Sequence, residues 1–489
     1  MVKKDTDAGI TVKKSDDFSE WYTQLVQKAE LADIRYNIKG FTVFREWSVL
    51  TMKKMYNKME TVLERKGHLP LVMPTLIPEQ NFQIEAEHIK GFTPEVFWVT
   101  EHGEGKKFDE RMALRPTSET AFYQMYSLWI RSYNDLPYKR YQSVSVFRCE
   151  GKATRPFFRG REFLWIETHN AFANHEDAYK QVLEDMETTD EVLLNEFGLP
   201  FIFFERPQWD KFPGAQKTFA SDALMPSGKV IQLPSTHLLG QGFAKSFNIE
   251  FTDEKGKTKT PHLTCYGPAI SRIYGAMIAL HGDDKGLVLP FDLAPIQIVI
   301  VPILFEKTKE KVLKKCNELK KKLSNYIVEI DERDQSPGWK FNQWEMKGVP
   351  IRIEVGPKDL ENKSVMLARR DKSNKDKISE KELVKTVDNI AKTFTKDLVK
   401  KAQKQFEGNI VEAKTLKEIE KAVDNEKIVK VCFCSMEKDG EKCANKIKED
   451  ITAEVRGVRF GEKETELKSA KCVVCGKPAK HEVYIAKSY

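Results

Sequence analysis

"RCEGKATRPFFRGREFLWIETH" runs from Arg148 to His169. Five cations, Arg148, Lys152, Arg155, Arg159 and Arg161, crowd its first fourteen positions. The rest carries aromatic residues at alternate positions, Phe163 and Trp165, and closes on Glu167, Thr168 and His169. A surface loop accounts for the first half and a strand for the second. Neither accounts for both.

Two antiparallel strands joined by a basic loop do. Before the loop, "VSVFRCE" sets Val144, Val146, Arg148 and Glu150 on one face by the period of two. After it, "REFLWIETH" sets Arg161, Phe163, Trp165, Glu167 and His169 on one face. Leu164, Ile166 and Thr168 point the other way, toward a core. One sheet face is therefore expected to gather Arg148, Glu150, Arg161, Trp165, Glu167 and His169. Charges taken out of water need partners. Clustered arginines suit a planar or bidentate anion, such as a carboxylate or phosphate. The competing reading is a solvated ion-pair network on an exposed sheet.

Neighbouring segments bear on the choice. "LRPTSE" (114–119) lies upstream, and "IQLPSTHLLGQGF" (231–243) downstream. "YGPAISRIYGAMIALHGDDKGLVLP" (266–290) sets Arg272 at the start of a helix, after Gly267 and Pro268. A helix N-terminus with an arginine favours an anion. Neither a Gly-x-x-x-x-Gly-Lys-Ser/Thr loop nor a Rossmann glycine fingerprint occurs. A nucleotide would therefore be held on antiparallel strands by arginines.

The 489 residues, 31% charged and 40% apolar, fit a soluble globular chain. At about 100–200 residues per domain, two to four domains are expected. The start, "MVKKDTDAGITVKKSDD", has no apolar h-region, and "IQIVIVPILF" is too short to span a bilayer. A cytoplasmic location with no membrane partner is expected. Charge is uneven, net +10 in residues 301–489 against −3 in 1–300. That suits either a polyanion partner or a lysine-rich surface. Of eight cysteines, Cys432, Cys434, Cys443, Cys472 and Cys475 fall in the last 58 residues. Without a secretory signal, a metal site suits that cluster better than disulfides.

Asp16 or Asp17 can cap a helix through "FSEWYTQLVQKAELAD". A second helix is expected from Glu46 to about Lys66, with Val49, Leu50, Met52, Met55, Met59, Val62 and Leu63 at helical spacing. Pro70, Pro74 and Pro78 mark "HLPLVMPTLIP" as an edge strand, where two copies could meet. Residues 175–197 and 271–282 read as helical. "IQIVIVPI", a helix at 306–324, "YIVEID", "GVPIRIEVG" and "SVMLARR" read as a small α/β domain. Residues 371–382 read as loop and helix start. Beyond about residue 400, helices are expected around the cysteines.

"LVMPTL", "FRCE…FFRGREF" and "GPAISR" resemble motifs 1, 2 and 3 of the class II aminoacyl-tRNA synthetases. "FTPEVFWVT", "LRPTSET", "REFLWIETH" and "HGDDKGLVLP" are similar to prolyl-tRNA synthetases of the archaeal and eukaryotic type. The "CGKPAK…KSY" ending resembles that type's zinc domain and terminal tyrosine. The resemblance covers nearly the whole chain. It implies an α/β multidomain fold. A class II antiparallel sheet flanked by helices would occupy residues 1–290. A small α/β anticodon-binding domain would follow at 291–398, and an α/β zinc-binding domain at 399–489. It also implies the chemistry: L-proline and ATP give prolyl-adenylate and pyrophosphate, and proline passes to the 3′ end of tRNA(Pro). Mg²⁺ and a homodimer are implied too.

The resemblance assigns Arg148 to the proline carboxylate and the α-phosphate, and Arg272 to the far side of the triphosphate. These two would be catalytic. Glu150 and Arg159 match groups around the adenine and γ-phosphate, and Gln232 and Ser235 groups near the ribose. Thr117 and Glu119 match residues that receive the imino group. Trp165, Glu167 and His169 match the pocket wall, with His237 and Ser271 nearby. Anticodon readers would come from Lys340, Glu345, Arg352, Pro357, Lys358 and Arg369. About a hundred residues separate Glu167 from Gly267, too few for the editing insertion of bacterial-type relatives. Cys149 and Cys265 lack a neighbouring base and read as core or rim.

Cys472-Val-Val-Cys475 is a turn that suits tetrahedral Zn²⁺. Eight residues separate Cys434 from Cys443, a departure from the family's short loop. The expected ligands of a structural zinc are Cys434, Cys443, Cys472 and Cys475. Cys432 is the alternative first ligand and His481 a further one. Free thiols are the competing reading. For the whole chain the competitors are another class IIa synthetase and a non-charging tRNA-binding paralogue. The threonyl type binds zinc in its active site, and residues 110–270 offer no such Cys/His set.

Overall fold

The antiparallel hairpin is present. Strands Tyr138–Phe147 and Glu162–Phe172 pair in unbroken register from Tyr138 opposite Ala171 to Phe147 opposite Glu162. It belongs to a computed structural model that describes residues 9–88, 95–151, 153–372, 374–462, 467 and 469–489. Part of "FTPEVFWVT" and the cation Lys152 lie outside those residues.

The hairpin sits near one end of an eleven-stranded sheet. Leu69–Pro70 adds in parallel to Tyr138–Phe147 and forms that edge, as its prolines require. On the other side come His262–Tyr266, Lys229–Gly240, Lys217–Leu224 and Ile202–Glu205. The sheet does not stop there. Glu454–Arg459, His481–Ser488, Ile428–Phe433 and Ile410–Glu412 continue it from the C-terminal part of the chain. His481–Ser488 also pairs in parallel with Lys229 and Val230.

Helices cover one face. Phe18–Lys28 starts where Asp17 accepts a bond from the Glu20 amide, and it ends short of the expected run. Glu46–Arg65 buries Trp47, Met52, Met55, Met59, Val62 and Leu63. Leu50, expected in that stripe, is 48% exposed. Both helices pack with Ile270–His281 on strand residues such as Ile166, Ile231 and Tyr266. Ile166 is fully buried there, so the core-facing parity of the hairpin's second strand holds.

The next unit is a five-stranded sheet ordered Val328–Ile330, Ile298–Pro302, Ile351–Val355, Ser364–Arg369, Lys375–Ser379. The last strand lies where loop was expected, because Lys375–Ser379 finds a partner in Ser364–Ala368. Helix Pro337–Met346 was not anticipated. Ser336 caps it by accepting from the Trp339 amide, with Pro337 in its first turn. Leu383–Glu407 is one continuous helix of 25 residues and runs through residue 398. Around the cysteines, strands rather than helices carry the architecture. Helices Leu416–Asp424 and Glu441–Ile451 pack on those strands through Ile419, Val423 and Ile447. Among the described residues, no helix is long and apolar enough to cross a membrane.

Candidate active site

Two cavities adjoin on the sheet. The smaller, about 290 Å³, is lined by Thr117, Glu119, Arg148, Trp165, Glu167 and His169, with Ser235 and His237 across from them. The larger, about 1120 Å³, includes Phe158, Arg159, Lys229 and Tyr489. Gln232 and Arg272 border both.

Strand geometry explains the first group. Trp165, Glu167 and His169 share a face because alternate residues do. They stand opposite Val144, Gln142 and Arg140. Thr117 and Glu119 arrive from a turn that Arg115 fastens, donating to Met73 O at 2.8 Å, Ser145 O at 3.0 Å and Thr75 Oγ1 at 3.1 Å. Helix Glu119–Trp129 then begins at the pocket wall.

The pocket holds two buried carboxylates. Glu167 accepts from Ser118 Oγ at 2.6 Å, Gln142 Nε2 at 2.7 Å and the Ser118 amide at 3.2 Å. His169 Nε2 is 3.1 Å from Glu167 Oε2, the oxygen that also accepts from the Ser118 amide. Burial opposes ionisation of Glu167, but the bonds from His169, Ser118 and Gln142 outweigh it and hold the carboxyl far below its usual range. Thr117 Oγ1 donates to Glu119 at 2.6 Å and reaches Glu167 at 3.4 Å. Ligand atoms of Glu119, Glu167 and His169 lie within 4.8 Å of one another. With the Glu119 and Glu167 carboxylates as acceptors at its centre, the pocket suits a small cation such as an ammonium group.

Cations stand on its other side. Arg148 Nε donates to Pro116 O at 3.1 Å, and its guanidinium faces Phe163 at 5.2 Å and Trp165 at 5.6 Å. Desolvation lowers its basicity, while Glu119, Glu150 and Glu167 work against that. Desolvation, and then Arg148 and Arg159, pull Arg272 down to about 10, so it remains charged at neutral pH. Among the described residues, Arg272 reaches only carbonyl oxygens, of Gln232 at 3.3 Å and Phe158 at 3.4 Å. Neither Arg148 nor Arg272 is ion-paired among the described residues. Two half-buried, mutually repelling cations between two cavities call for an anion.

Other expected residues fall differently. Arg161 leaves the group: its side chain packs over Gly40 and donates to Lys39 O at 3.3 Å. Past the last ladder pair, Phe147 with Glu162, the Arg148 amide still donates to Arg161 O at 2.9 Å, but the Arg161 amide donates to Gly40 O at 2.8 Å. Glu150 stays outside both linings, 3.9 Å from Arg159 Nε. Ser271 faces the backbone, accepting from the Leu164 amide at 3.3 Å. Ser235 lies in the smaller cavity, 3.0 Å from His237 Nε2. The other ring nitrogen of His237 is 3.0 Å from Thr218. Burial, aided by Arg206, pushes that imidazole down to about 3, so it is neutral. Tyr489 is at the site: its main-chain oxygen accepts from Arg159, its ring stacks on Phe158, and its hydroxyl meets Ser227.

Sequence reasoning passed over the groups that hold the site. Gln142 could have been found from the hairpin, since it stands opposite Glu167. Arg206, Asp222 and Arg456 form a buried ion cluster beside Gln232. Arg456 is 234 positions from Asp222, and no local pattern signals that.

The four expected cysteine ligands converge. The sulfurs of Cys434, Cys443, Cys472 and Cys475 lie within 4.8 Å of one another, and Cys432 is not in the group. Cys434 and Cys443 are 3.7 Å apart, close to the edge of about 3.8 Å that a tetrahedron with metal–sulfur bonds of about 2.3 Å requires. In the smaller α/β unit, Lys340 is buried and donates to Asp331 O. Arg352 is paired with Glu345 and Glu354, and Arg369 with Asp371 and Asp397. Pro357 opens the short helix Pro357–Asn362, and Lys358 is exposed.

Residues 97–281 match the class II core domain of tRNA synthetases for G, H, P, S and T. Residues 297–390 match the anticodon binding domain, and 416–489 the prolyl-tRNA synthetase C-terminal domain. The chain is 50% identical to a proline–tRNA ligase of Thermofilum pendens, over 99% of this chain and 100% of that protein. It is 41% identical to one of Methanopyrus kandleri, over 97% and 96%. The Giardia lamblia prolyl-tRNA synthetase in complex with prolyl-adenylate superposes with a TM-score of 0.94 at 36% identity, covering 98% of this chain and all of that one. The Cryptosporidium parvum enzyme complexed with halofuginone and AMPPNP gives 0.93 at 33%, covering 99% and 100%.

Proposed function

The chain belongs to the prolyl-tRNA synthetase family, and from that premise we propose how its residues carry out the ligation of proline to tRNA(Pro). The carrying observation is the pair of unpaired arginines, Arg148 and Arg272, between a carboxylate pocket and a larger cavity. Proline fits the pocket by charge. Its NH₂⁺ would meet Glu119, Glu167 and Thr117, and its ring would lie against Trp165 and His169. Its carboxylate would then face Arg148.

ATP takes the larger cavity. A carboxylate oxygen of proline attacks the α-phosphorus, the bond to the bridging oxygen breaks, and pyrophosphate leaves with the electron pair. Arg148 and Arg272 meet the charge that gathers on the α-phosphate. Glu150 and Arg159 are assigned to the adenine and γ-phosphate, Arg159 from the cavity lining and Glu150 from beside it, and Gln232 and Ser235 to the ribose, Gln232 where the cavities meet and Ser235 from the smaller one. The terminal ribose hydroxyl of tRNA then attacks the prolyl carbonyl and AMP leaves. His237, neutral and tied to Ser235 and Thr218, orients that wall.

Mg²⁺ would neutralise the phosphates. Among the described residues, no three-ligand carboxylate or imidazole group other than Glu119–Glu167–His169 gathers beside the cavities. The residues present therefore fit an ion carried chiefly by the triphosphate. The four-cysteine group fits Zn²⁺, which would hold residues 434–443 against 472–475. We assign anticodon reading to Lys340, Glu345, Arg352, Pro357, Lys358 and Arg369, of which Lys358 is the exposed cation. A homodimer is proposed through the edge at 69–78, where Leu69 is 55% and Val72 76% exposed. A cytoplasmic site of action is proposed because the eight cysteines are unbridged. No editing in cis is proposed, and hydrolysis of Ala-tRNA(Pro) by the purified chain would overturn that.

Proline-dependent exchange of pyrophosphate into ATP tests the reading. Arg148→Ala should lower exchange about a thousandfold, the cost of losing charge stabilisation in the transition state, while tRNA still binds. Full exchange in that variant would refute the role of Arg148. No exchange by the folded wild type would refute the function.

A further inference from the structure

Asp222 is fully buried and held by two arginines from distant parts of the chain. Arg206 Nη2 donates to its Oδ1 at 2.7 Å, and Arg456 Nε to its Oδ2 at 2.7 Å. Arg206 Nη1 also donates to the Arg456 carbonyl at 2.8 Å. Arg456 Nη1 reaches Glu454 at 3.0 Å, and Ser488 Oγ donates to the same Glu454 oxygen at 2.7 Å. Arg456 Nη2 also donates to Asp222 Oδ1 at 3.3 Å, and Arg206 Nε lies 3.9 Å from Asp210. Arg206 Nη2 donates to Gln232 Oε1 at 3.3 Å.

That bond fixes the orientation of an amide. With Oε1 taken by Arg206, the Gln232 NH₂ group is directed away from it. Gln232 borders both cavities, and among the described residues its Nε2 donates to no protein acceptor. An acceptor-only ligand oxygen, of a ribose or phosphate, fits there. If Oε1 and Nε2 changed places, an amide donor would face the guanidinium. Arg206 is itself held by Asp222, and Asp222 is divided between Arg206 and Arg456. Without Arg456, the Asp222 carboxylate would draw Arg206 away from Gln232.

We propose that Arg456, supplied by the C-terminal module, is a positioning residue for nucleotide binding, acting through Asp222 and Arg206 on the Gln232 amide. This rests on the reading of Gln232 as a nucleotide contact. Arg456 also borders the larger cavity, with Glu454, Ser488 and Tyr489, so the test has to separate a relay through Gln232 from a direct contact with the nucleotide, whose effect would multiply with that of Gln232.

The test is pyrophosphate exchange by the full-length chain, with KM for ATP and for proline measured separately. Gln232→Ala should raise the ATP KM about tenfold, the worth of one hydrogen bond to a charged ligand. Arg456→Gln should raise it by about the same factor, with the proline KM within about twofold. In the Gln232→Ala background, Arg456→Gln should add less than about twofold, since residues acting as one unit are non-additive. Arg456→Lys keeps the charge on Asp222 without the fork. It should give a smaller rise of the same kind, and it carries the test if Arg456→Gln does not fold. Independent, multiplying effects would overturn the proposal. So would equal rises in both KM values, or a lowered melting temperature with unchanged kinetics. If Gln232→Ala raises the ATP KM and Arg456→Gln does not, only the relay fails. If Gln232→Ala leaves the ATP KM unchanged, the assignment of Gln232 fails with it.

Discussion

The main-chain oxygen of Tyr489 accepts a hydrogen bond from Arg159 Nη2 at 2.9 Å. The ring stacks on Phe158 at 5.1 Å, and its hydroxyl lies 2.6 Å from Ser227. Tyr489 thus supports the basic loop that joins the two hairpin strands. Tyr489→Ala removes the stack and the hydroxyl contact. It should raise the ATP KM in exchange about fivefold, roughly the 1 kcal/mol of a stacked aromatic pair, with little change for proline. An unaltered ATP KM would show that the loop needs no such support.

Gly267 faces Trp165 so closely that a Cβ would lie 2.3 Å from the indole Cζ2. Gly267→Ala therefore has to displace the pocket wall. The proline KM should rise at least about fivefold, since overpacking costs about 1–3 kcal/mol. Retained proline affinity would mean that the indole does not line the occupied pocket.

Asp185 is buried, accepting from Gln181 at 2.8 Å and Thr236 at 2.7 Å. Burial outweighs those bonds and raises its pKa from 3.8 to about 7. A group raised on folding stabilises fully below its unfolded pKa, and that contribution is lost as pH rises through the folded one. The loss therefore falls between about pH 4 and pH 7. Asp185→Asn cannot ionise, and the Thr236 hydroxyl can turn to accept from the new amide. At pH 8 the variant should be more stable by about 1–3 kcal/mol in urea unfolding, with the gain vanishing toward pH 4. A gain independent of pH would exclude ionisation as its cause.

Zinc at the four cysteines predicts about one equivalent in protein never exposed to a chelator. Cys434→Ser should lose it and Cys432→Ser should keep it, by elemental analysis. Stripping the metal should lower the melting temperature. Metal-free native protein would end the assignment.

Alternation along Glu162–Phe172 put Trp165, Glu167 and His169 together because one ladder spans them all. Arg161 escaped that reading because its amide is bonded to Gly40 O and its side chain packs over Gly40, a partner outside the hairpin that alternation cannot reveal. Lys340, Arg352 and Arg369 drew attention as cations, yet each is engaged by a neighbouring acidic or carbonyl oxygen, and such neutralisation depends on tertiary partners. Cys434 and Cys432 could not be separated by spacing alone. The period of two sets them on the same side, but Cys434 lies just past the strand's last residue, Phe433, and its sulfur is the one that meets Cys443, Cys472 and Cys475. The ion cluster of Arg206, Asp222 and Arg456 was illegible for the same reason, since its members meet only when the sheet is assembled.

That shared sheet bears on how the protein behaves in bulk. Val458 and Arg459 occupy the hydrogen-bonding side of Glu205 and Phe204. A chain ending near residue 400 would leave "IFFE" (202–205) open along one side, and an uncovered apolar strand is a template for self-association. The appended module is thereby a solubility device: shortening the protein to its catalytic part should produce a turbid preparation before it produces an inactive one.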